Sequence, residues 1–300
     1  MYNNSTQQKH WTFESQEAVD AKRGEMLQAF REKNAEFMPS GSAEDSLFFS
    51  LEDEKMFLKI VTLHFFGDEF LPTISPSVKW VAQAYFQRFF LRYSAMEYSP
   101  KDIVMACYHV AAKVEQFSVS IDEFLGNFKI GERESTMKKF LARELTVLVA
   151  MDYDLIIHTP HRAFEGVLLG VSMTIPITGG FDLEEVRPHA MTFFAKAMIG
   201  DAVFLFPPSQ IALASFKYGL QMLNKLSGLV DEYVNAISGI VYVVDDVAGL
   251  LSKINELIKY VISSSMDLTE VDKNSVETKF ATYVTTASTR VPQAGERGEF

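Results

Sequence analysis

Three observations predict an all-α fold. Apolar residues recur at steps of three and four along most of the chain, strict alternation is scarce, and serine- or threonine-proline starts precede the strongest periodic runs. The clearest run is Val78, Val81, Ala82, Tyr85, Phe86, Phe89 and Phe90. Two small-residue segments, DIVMACYHVAAK (Asp102 to Lys113) and PSQIALASFKYG (Pro208 to Gly219), lie about 105 residues apart. A helix that is apolar or small on almost every side is a buried one, and small side chains let neighbouring helices approach closely. Each segment therefore suits the centre of a bundle. The remaining length divides into about five helices around each centre, which gives two tandem helical repeats with flanking terminal helices.

In chain order, residues 1 to 10 are polar and expected to be loose. Ala18, Val19, Met26, Leu27 and Phe30 predict a helix from Ser15, and NAEFMPSGSAED (Asn34 to Asp45) is a linker by its Pro, Gly and Ser content. Phe57, Ile60, Val61, His64 and Phe65 continue the helical period. Ser75-Pro76, Ser99-Pro100 and Thr159-Pro160 each place a capping oxygen before a proline at the first helical position. The competing reading of these pairs is proline-directed phosphorylation, but an apolar helical pattern follows each one. Ser120 with Glu123 makes a capping box. Pro188 either begins a helix or kinks one that starts near Asp182. IVYVV (Ile240 to Val244) is β-branched enough to be ambiguous. Met266 to Val284 can hold a last helix, and Thr285 to Phe300 is expected to fray.

Composition narrows the function classes. With 48% hydrophobic and 22% charged residues, including 25 Phe, the 300-residue chain can bury large aromatic cores. A net charge of −11 has the wrong sign for a protein that wraps phosphate backbones, so direct nucleic-acid binding is not expected. The single cysteine rules out an internal disulfide framework and fits a reducing compartment. The N-terminus, MYNNSTQQKHWTF, lacks the apolar stretch of a signal peptide, and no uncharged run is long enough to span a bilayer. A soluble intracellular protein without a membrane partner is expected.

Candidate chemistry is thin. His158 and His161 form HTPH, but the Thr-Pro helix start between them need not place both on one face. His109 is expected to be a satisfied core histidine, and Cys107 among alanines a small buried hydrophobe. Thr178 to Gly180 lacks the Lys-Ser/Thr of a phosphate-cradling loop. Zinc-ribbon cysteine pairs and Glu-x-x-His pairs do not occur. No catalytic residues, cofactor or metal are expected.

A binding role is better supported. Lys113 ends the apolar segment, and Glu144 interrupts another stripe formed by Met137, Phe140, Leu141, Leu145, Leu148 and Val149. Taken singly, Lys113 is a solvated charge favoured by a helix C-terminus by about 0.3–1 kcal/mol, and Glu144 a partly exposed helical carboxylate. Two opposite charges placed where helices should be apolar together suggest a docking surface. A solvated pair contributes only about 0–1 kcal/mol, but breaking one that a partner buries costs about 2–5 kcal/mol.

At these residues the chain resembles a cyclin, and within that family the cyclin H branch. AYFQRFFL (Ala84 to Leu91), MEYSP (Met96 to Pro100), AAKVEQF (Ala111 to Phe117) and ARELTVLVAMDYDL (Ala142 to Leu155) match the first cyclin-box repeat. HWTF (His10 to Phe13), FEG (Phe164 to Gly166) and PSQIAL (Pro208 to Leu213) point to the cyclin H branch, and the resemblance covers about residues 8 to 265. It implies two tandem five-helix cyclin-box repeats: an N-terminal arm and helix over 1–46, a kinase-binding first repeat over 47–157, a second repeat over 158–264, and a C-terminal helix and tail over 265–300. It implies that Lys113 and Glu144 contact a kinase near its helix αC, with Val114, Leu148 and Tyr153 as the apolar positions around them. The implied role is a regulatory subunit that activates a cyclin-dependent kinase allosterically. Its expected partners are the kinase catalytic subunit, a RING-finger assembly factor of the CDK-activating kinase and the TFIIH core, and its expected location is the nucleus. There are departures from the family. The first-box helix MFLKIVTLHFF (Met56 to Phe66) lacks the Met-Arg-Ala-Ile-Leu patch by which cell-cycle cyclins dock substrates, and the arm holds no convincing destruction box. The sequence stops at GERGEF, so the charged C-terminal tail of the branch is not expected, and no basic cluster exceeds Lys138-Lys139. The alternatives are a TFIIB-like helical-repeat transcription factor, which the acidic charge and single cysteine disfavour, and another all-α interaction scaffold.

Overall fold

The structure, a computed structural model, describes residues 2–35, 47–67, 70–71, 73–117, 133–176, 180–226, 228–238, 246–266 and 268–290. Among the described residues the chain forms thirteen α-helices and no strand. The Ser120–Glu123 box, most of the 34–45 linker, Thr178 and Gly179, the 240–244 run and the last ten residues lie outside the described part.

Helix α1 (Thr6–His10), capped by Ser5 where a loose segment is expected, and helix α2 (Gln16–Asn34) form the N-terminal arm. Ser15 caps α2 by accepting from the Ala18 N–H at 3.4 Å, where the sequence places the start. Helix α3 (Leu51–Phe65) begins six residues before Phe57, the first residue of the periodic run. Its start is fixed by a capping box: Ser50 Oγ accepts from the Asp53 N–H and Asp53 accepts from the Ser50 N–H. Helix α4 (Pro76–Phe89), helix α5 (Pro100–Val114) and helix α6 (Arg133–Ala150) complete the described helices of the first half.

Helix α7 (Pro160–Thr174) opens the second half. A 3-10 turn over Leu183–Val186 then leads into helix α8 (Arg187–Ala197). Pro188 therefore sits in the first turn of a new helix, where its missing N–H has no partner to lose. Helix α9 (Ala202–Leu205), helix α10 (Pro208–Met222), helix α11 (Leu229–Ser238), helix α12 (Val247–Ser264) and helix α13 (Glu270–Arg290) follow. Helix α13 corrects one expectation, since residues 285–290 continue it instead of fraying.

Helices α4, α5, α7 and α10 all start at a proline, but none has a hydroxyl cap. Ser75 Oγ pairs with Ser77 Oγ instead. Proline already sets the first helical φ and removes one orphan donor, so α4, α5 and α7 start without the capping oxygen that the sequence offers, and α10 follows Pro207, which has none.

The two small-residue segments are the hubs. Helix α5 packs on α3, α4 and α6, and α10 packs on α7, α8, α11 and α12. Both hubs are 15 residues long and end alike. Gln116 (φ 55°) and Asn224 (φ 52°) turn left-handed two residues past the last helical residue. The Phe117 N–H then reaches Ala112 O at 2.8 Å and the Lys225 N–H reaches Leu220 O at 3.0 Å. This is the same helix-ending motif in both halves.

Helix α4 is buried along its whole length from Val78 to Phe89, polar residues included. Its polar side chains explain why: Gln83 donates to Met198 O and Gln87 to Gly200 O, backbone carbonyls of the second half. Trp80 meets His161 and Phe194 edge-on. The arm crosses the same junction. Arg23 makes two hydrogen bonds to Asp201, at 2.7 and 2.5 Å, with both side chains buried. Tyr260 of α12 donates to Gln16 and accepts from the Asp201 N–H. Helix α13 closes over α3 through Phe280 stacked on Phe57 at 4.7 Å and Lys279 on Asp53 at 2.6 Å.

Candidate functional site: an apolar corner around one carboxylate

The C-terminal turn of α5 meets α6 at Glu144. Lys113 Nζ lies 2.5 Å from Glu144 Oε1, so the two charges singled out in the sequence do pair. Lys113 is half in water, with 55% of its side chain exposed, whereas Glu144 keeps only 14%. The carboxylate is thus more enclosed than a partly exposed helical position suggests. His109, one turn before Lys113, places Nδ1 3.2 Å from Glu144 Oε2. One carboxylate therefore bridges two groups of the hub helix, although the sequence offers His109 only as a core histidine.

Val114 and Leu148 are partly buried and pack against the core. Tyr153 is exposed, in the turn that follows α6. That turn is held against strain. Asp152 (φ 49°) and Tyr153 (φ 59°) are consecutive non-glycine residues in the left-handed region, each of which costs of order 1 kcal/mol or more. The surroundings fix them. The Tyr153 N–H donates to Leu148 O at 3.1 Å, Arg92 pairs with Asp152, Arg88 donates to Asp154 O at 2.9 Å, and Tyr85 donates to Leu155 O.

The arm adds a second layer to this turn. His10 Nδ1 is 2.7 Å from Asp154 Oδ2, and Trp11 Nε1 donates to the same oxygen at 3.3 Å. The Trp11 ring covers the guanidinium groups of Arg88 and Arg92 at 4.7 and 5.0 Å. His10 and Trp11 of HWTF therefore clamp the turn carrying Tyr153.

The outward face of this corner is apolar. Leu141, Leu145 and Val149, spaced by four on α6, are each about half exposed, and Ile156 beyond the turn is 66% exposed. Residues one turn apart on a helix share a face, so these three form a stripe beside the Lys113–Glu144 pair. A contiguous exposed apolar patch with a polar centre is the character of a protein-interaction surface. The 3-4 spacing marks the stripe in the sequence, but spacing alone does not say that Leu141, Leu145 and Val149 face outward while Val147 and Ala150 face the core.

The other candidate groups lie in packing roles. Cys107 is fully buried, and burial pushes its thiol pKa up. His158 stands edge-on to Tyr2, while His161 is partly buried against Trp80 and Phe194, and desolvation draws its pKa down to about 4. Among the described residues no group of three or more His, Cys, Asp or Glu is placed to hold a metal ion, and no helix is long and apolar enough to cross a membrane.

The family model for the cyclin C-terminal domain matches residues 159–263, which span α7 to α12. Cyclin-H of Xenopus laevis is 36% identical over 240 residues, which cover 76% of this chain and 72% of that protein. The chain belongs to the cyclin H family. Chains of known structure share its fold. A chain in the CAK complex of Chaetomium thermophilum bound to ATP-γ-S superposes with a TM-score of 0.76 at 22% identity, covering 100% of this chain and 96% of that one. A chain in the yeast TFIIK complex (Kin28/Ccl1/Tfb3) superposes with a TM-score of 0.65 at 23% identity, covering 87% of this chain and 100% of that one.

Proposed function

We propose that this cyclin H family member is a regulatory subunit that binds and activates a cyclin-dependent protein kinase, within a CDK-activating kinase that also contains an assembly subunit. The observation that carries the reading is the exposed apolar stripe of α6 beside the Lys113–Glu144 pair. The kinase-binding surface assigned here comprises Lys113, Val114, Glu144, Leu148 and Tyr153, together with Leu141, Leu145, Val149 and Ile156. Residues 47–157 form the kinase-binding repeat and 158–264 the second repeat, with 1–46 and 265–300 as flanking segments. Attachment to a TFIIH core, phosphorylation of the RNA polymerase II tail and CDK activation loops by the assembled kinase, and residence in the nucleus belong to the same proposal. The relatives named above, from CAK and TFIIK complexes, support it.

The mechanism is a population shift. An active kinase needs its β3 lysine paired with the αC glutamate and its activation loop ordered. A subunit that binds only this arrangement stabilises it by its contact energy, and moving a kinase from mostly off to mostly on takes about a 10⁴-fold preference, near 5.5 kcal/mol. The corner offers apolar area for that energy, and one charge pair to fix the register. Its strained turn is held before any partner arrives, so little ordering cost falls on association.

The test is reconstitution. The kinase that co-purifies with the tagged chain is identified, and phosphorylation of a polymerase-tail peptide is measured with and without the chain, assembly subunit present. Strong dependence on the chain is expected. A folded chain that stimulates no kinase contradicts the proposal.

A further inference from the structure

Lys113 and His109 address different oxygens of Glu144, at 2.5 Å and 3.2 Å, and they differ in how firmly they can hold it. Lys113 is a half-exposed ammonium on a flexible stem, so it constrains direction weakly. His109 is buried in the hub helix, with 9% of its side chain exposed, and its planar ring has two torsions. Burial lowers the His109 pKa and the Lys113 charge adds to this, while Glu144 pulls the other way. The net shift is downward, so the ring is neutral at neutral pH. A neutral imidazole carries a single N–H and a carboxylate only accepts, so the contact at Nδ1 requires the proton to be on Nδ1.

We infer that His109 is a positioning residue of the kinase-facing corner: its Nδ1–H fixes one oxygen of Glu144, which leaves the other aimed at Lys113 and the partner. This rests on the kinase reading of the pair, whereas the orientation of Glu144 belongs to the free chain. The role matters because a carboxylate tied only to a mobile lysine must be ordered when the partner docks, and a preorganised one need not be.

Two measurements test it. In the free, histidine-labelled chain, the imidazole ¹⁵N shifts of His109 report its tautomer. Nδ1–H is expected in the wild type, reverting to the ordinary Nε2–H form in Glu144→Ala. Calorimetric titration with the co-purifying kinase then compares Glu144→Ala, His109→Leu, His109→Asn and the double variant His109→Leu/Glu144→Ala. His109→Leu should bind about tenfold more weakly, about 1.4 kcal/mol. His109→Asn, whose amide N–H falls near the Nδ1 position, should recover to within about threefold of wild type. The double variant should bind no more weakly than Glu144→Ala alone, because the histidine acts through that carboxylate. An Nε2–H tautomer in the wild type overturns the inference. So does a His109→Leu variant that binds like wild type while Glu144→Ala is weakened. A Glu144→Ala variant that binds like wild type overturns the kinase reading of the pair, and with it the role given to His109, whatever the tautomer.

Discussion

Glu54 shows how one buried group couples the fold to pH. It lies at the start of α3, fully buried, where its carboxyl oxygens accept from the Ala95 N–H at 2.7 Å and from Ser94 Oγ at 3.1 Å. Burial pushes its pKa up from 4.5 to about 7, although those two donors and the charge of Arg23 pull the other way. Its folded pKa is therefore the raised one. Between 4.5 and about 7 the folded state holds more protons than the unfolded, so its contribution is fully favourable below pH 4.5 and is lost as pH rises to about 7. That gap corresponds to about 3 kcal/mol. Glu54→Gln keeps the acceptor for Ala95 and removes the titration. His161, with its pKa drawn down to about 4, adds a rise with pH that is common to both proteins. Urea unfolding at pH 5 to 8 should therefore show the variant gaining on wild type as pH rises and more stable than it at pH 8. Parallel curves for the two proteins would contradict this. Nothing in LEDEKMF distinguishes Glu54 from its acidic neighbours, because burial here comes from the distant Ser94–Ala95 turn.

At the scale of elements, α6 carries two jobs on two faces. Leu145 is exposed and Val147 fully buried. Leu145→Ala should change folding stability by no more than about 0.5 kcal/mol while weakening kinase binding by about 1–2 kcal/mol. Val147→Ala should lower stability by about 2 kcal/mol. Denaturant melts and calorimetric titration separate the two effects, and equal stability losses would mean that the outward face is misassigned. The helical periods of α2, α4, α5 and α6 were legible because side-chain spacing records one helix at a time. The proline starts were legible too, but not that they work without a hydroxyl. The buried glutamines of α4 were not legible, since Gln83 and Gln87 find their acceptors on the far repeat. The two hubs were visible as small-residue segments, whereas their shared left-handed endings at Gln116 and Asn224 carry no glycine to signal them.

Across the whole molecule, the arm ties the repeats together through contacts far apart in sequence. Arg23 and Asp201 are both buried and joined by two hydrogen bonds. Burial works to raise the Asp201 pKa, but the hydrogen bonds and charge of Arg23, together with the Gln16 hydrogen bond and the charge of Lys55, leave it below the ordinary value. Arg23→Ala removes the charge partner of the buried carboxylate, to which the Gln16 amide still donates at 2.7 Å, and should cost about 3 kcal/mol in unfolding free energy. Replacing both residues by apolar ones of similar size should recover much of that, so a double variant as unstable as the single would contradict the account. Periodicity cannot foretell such a pair, 178 residues apart. The site was legible differently. Two charges out of place in apolar helices marked Lys113 and Glu144, and only the cyclin resemblance proposed a kinase for them. Charge reversal at Lys113 tests that assignment most directly, because the side chain is half exposed. With Lys113→Glu, helicity and melting temperature should match wild type while binding and activation of the co-purifying kinase fall by about 2–5 kcal/mol. A folded Lys113→Glu variant that activates the kinase as well as wild type would contradict the proposed interface.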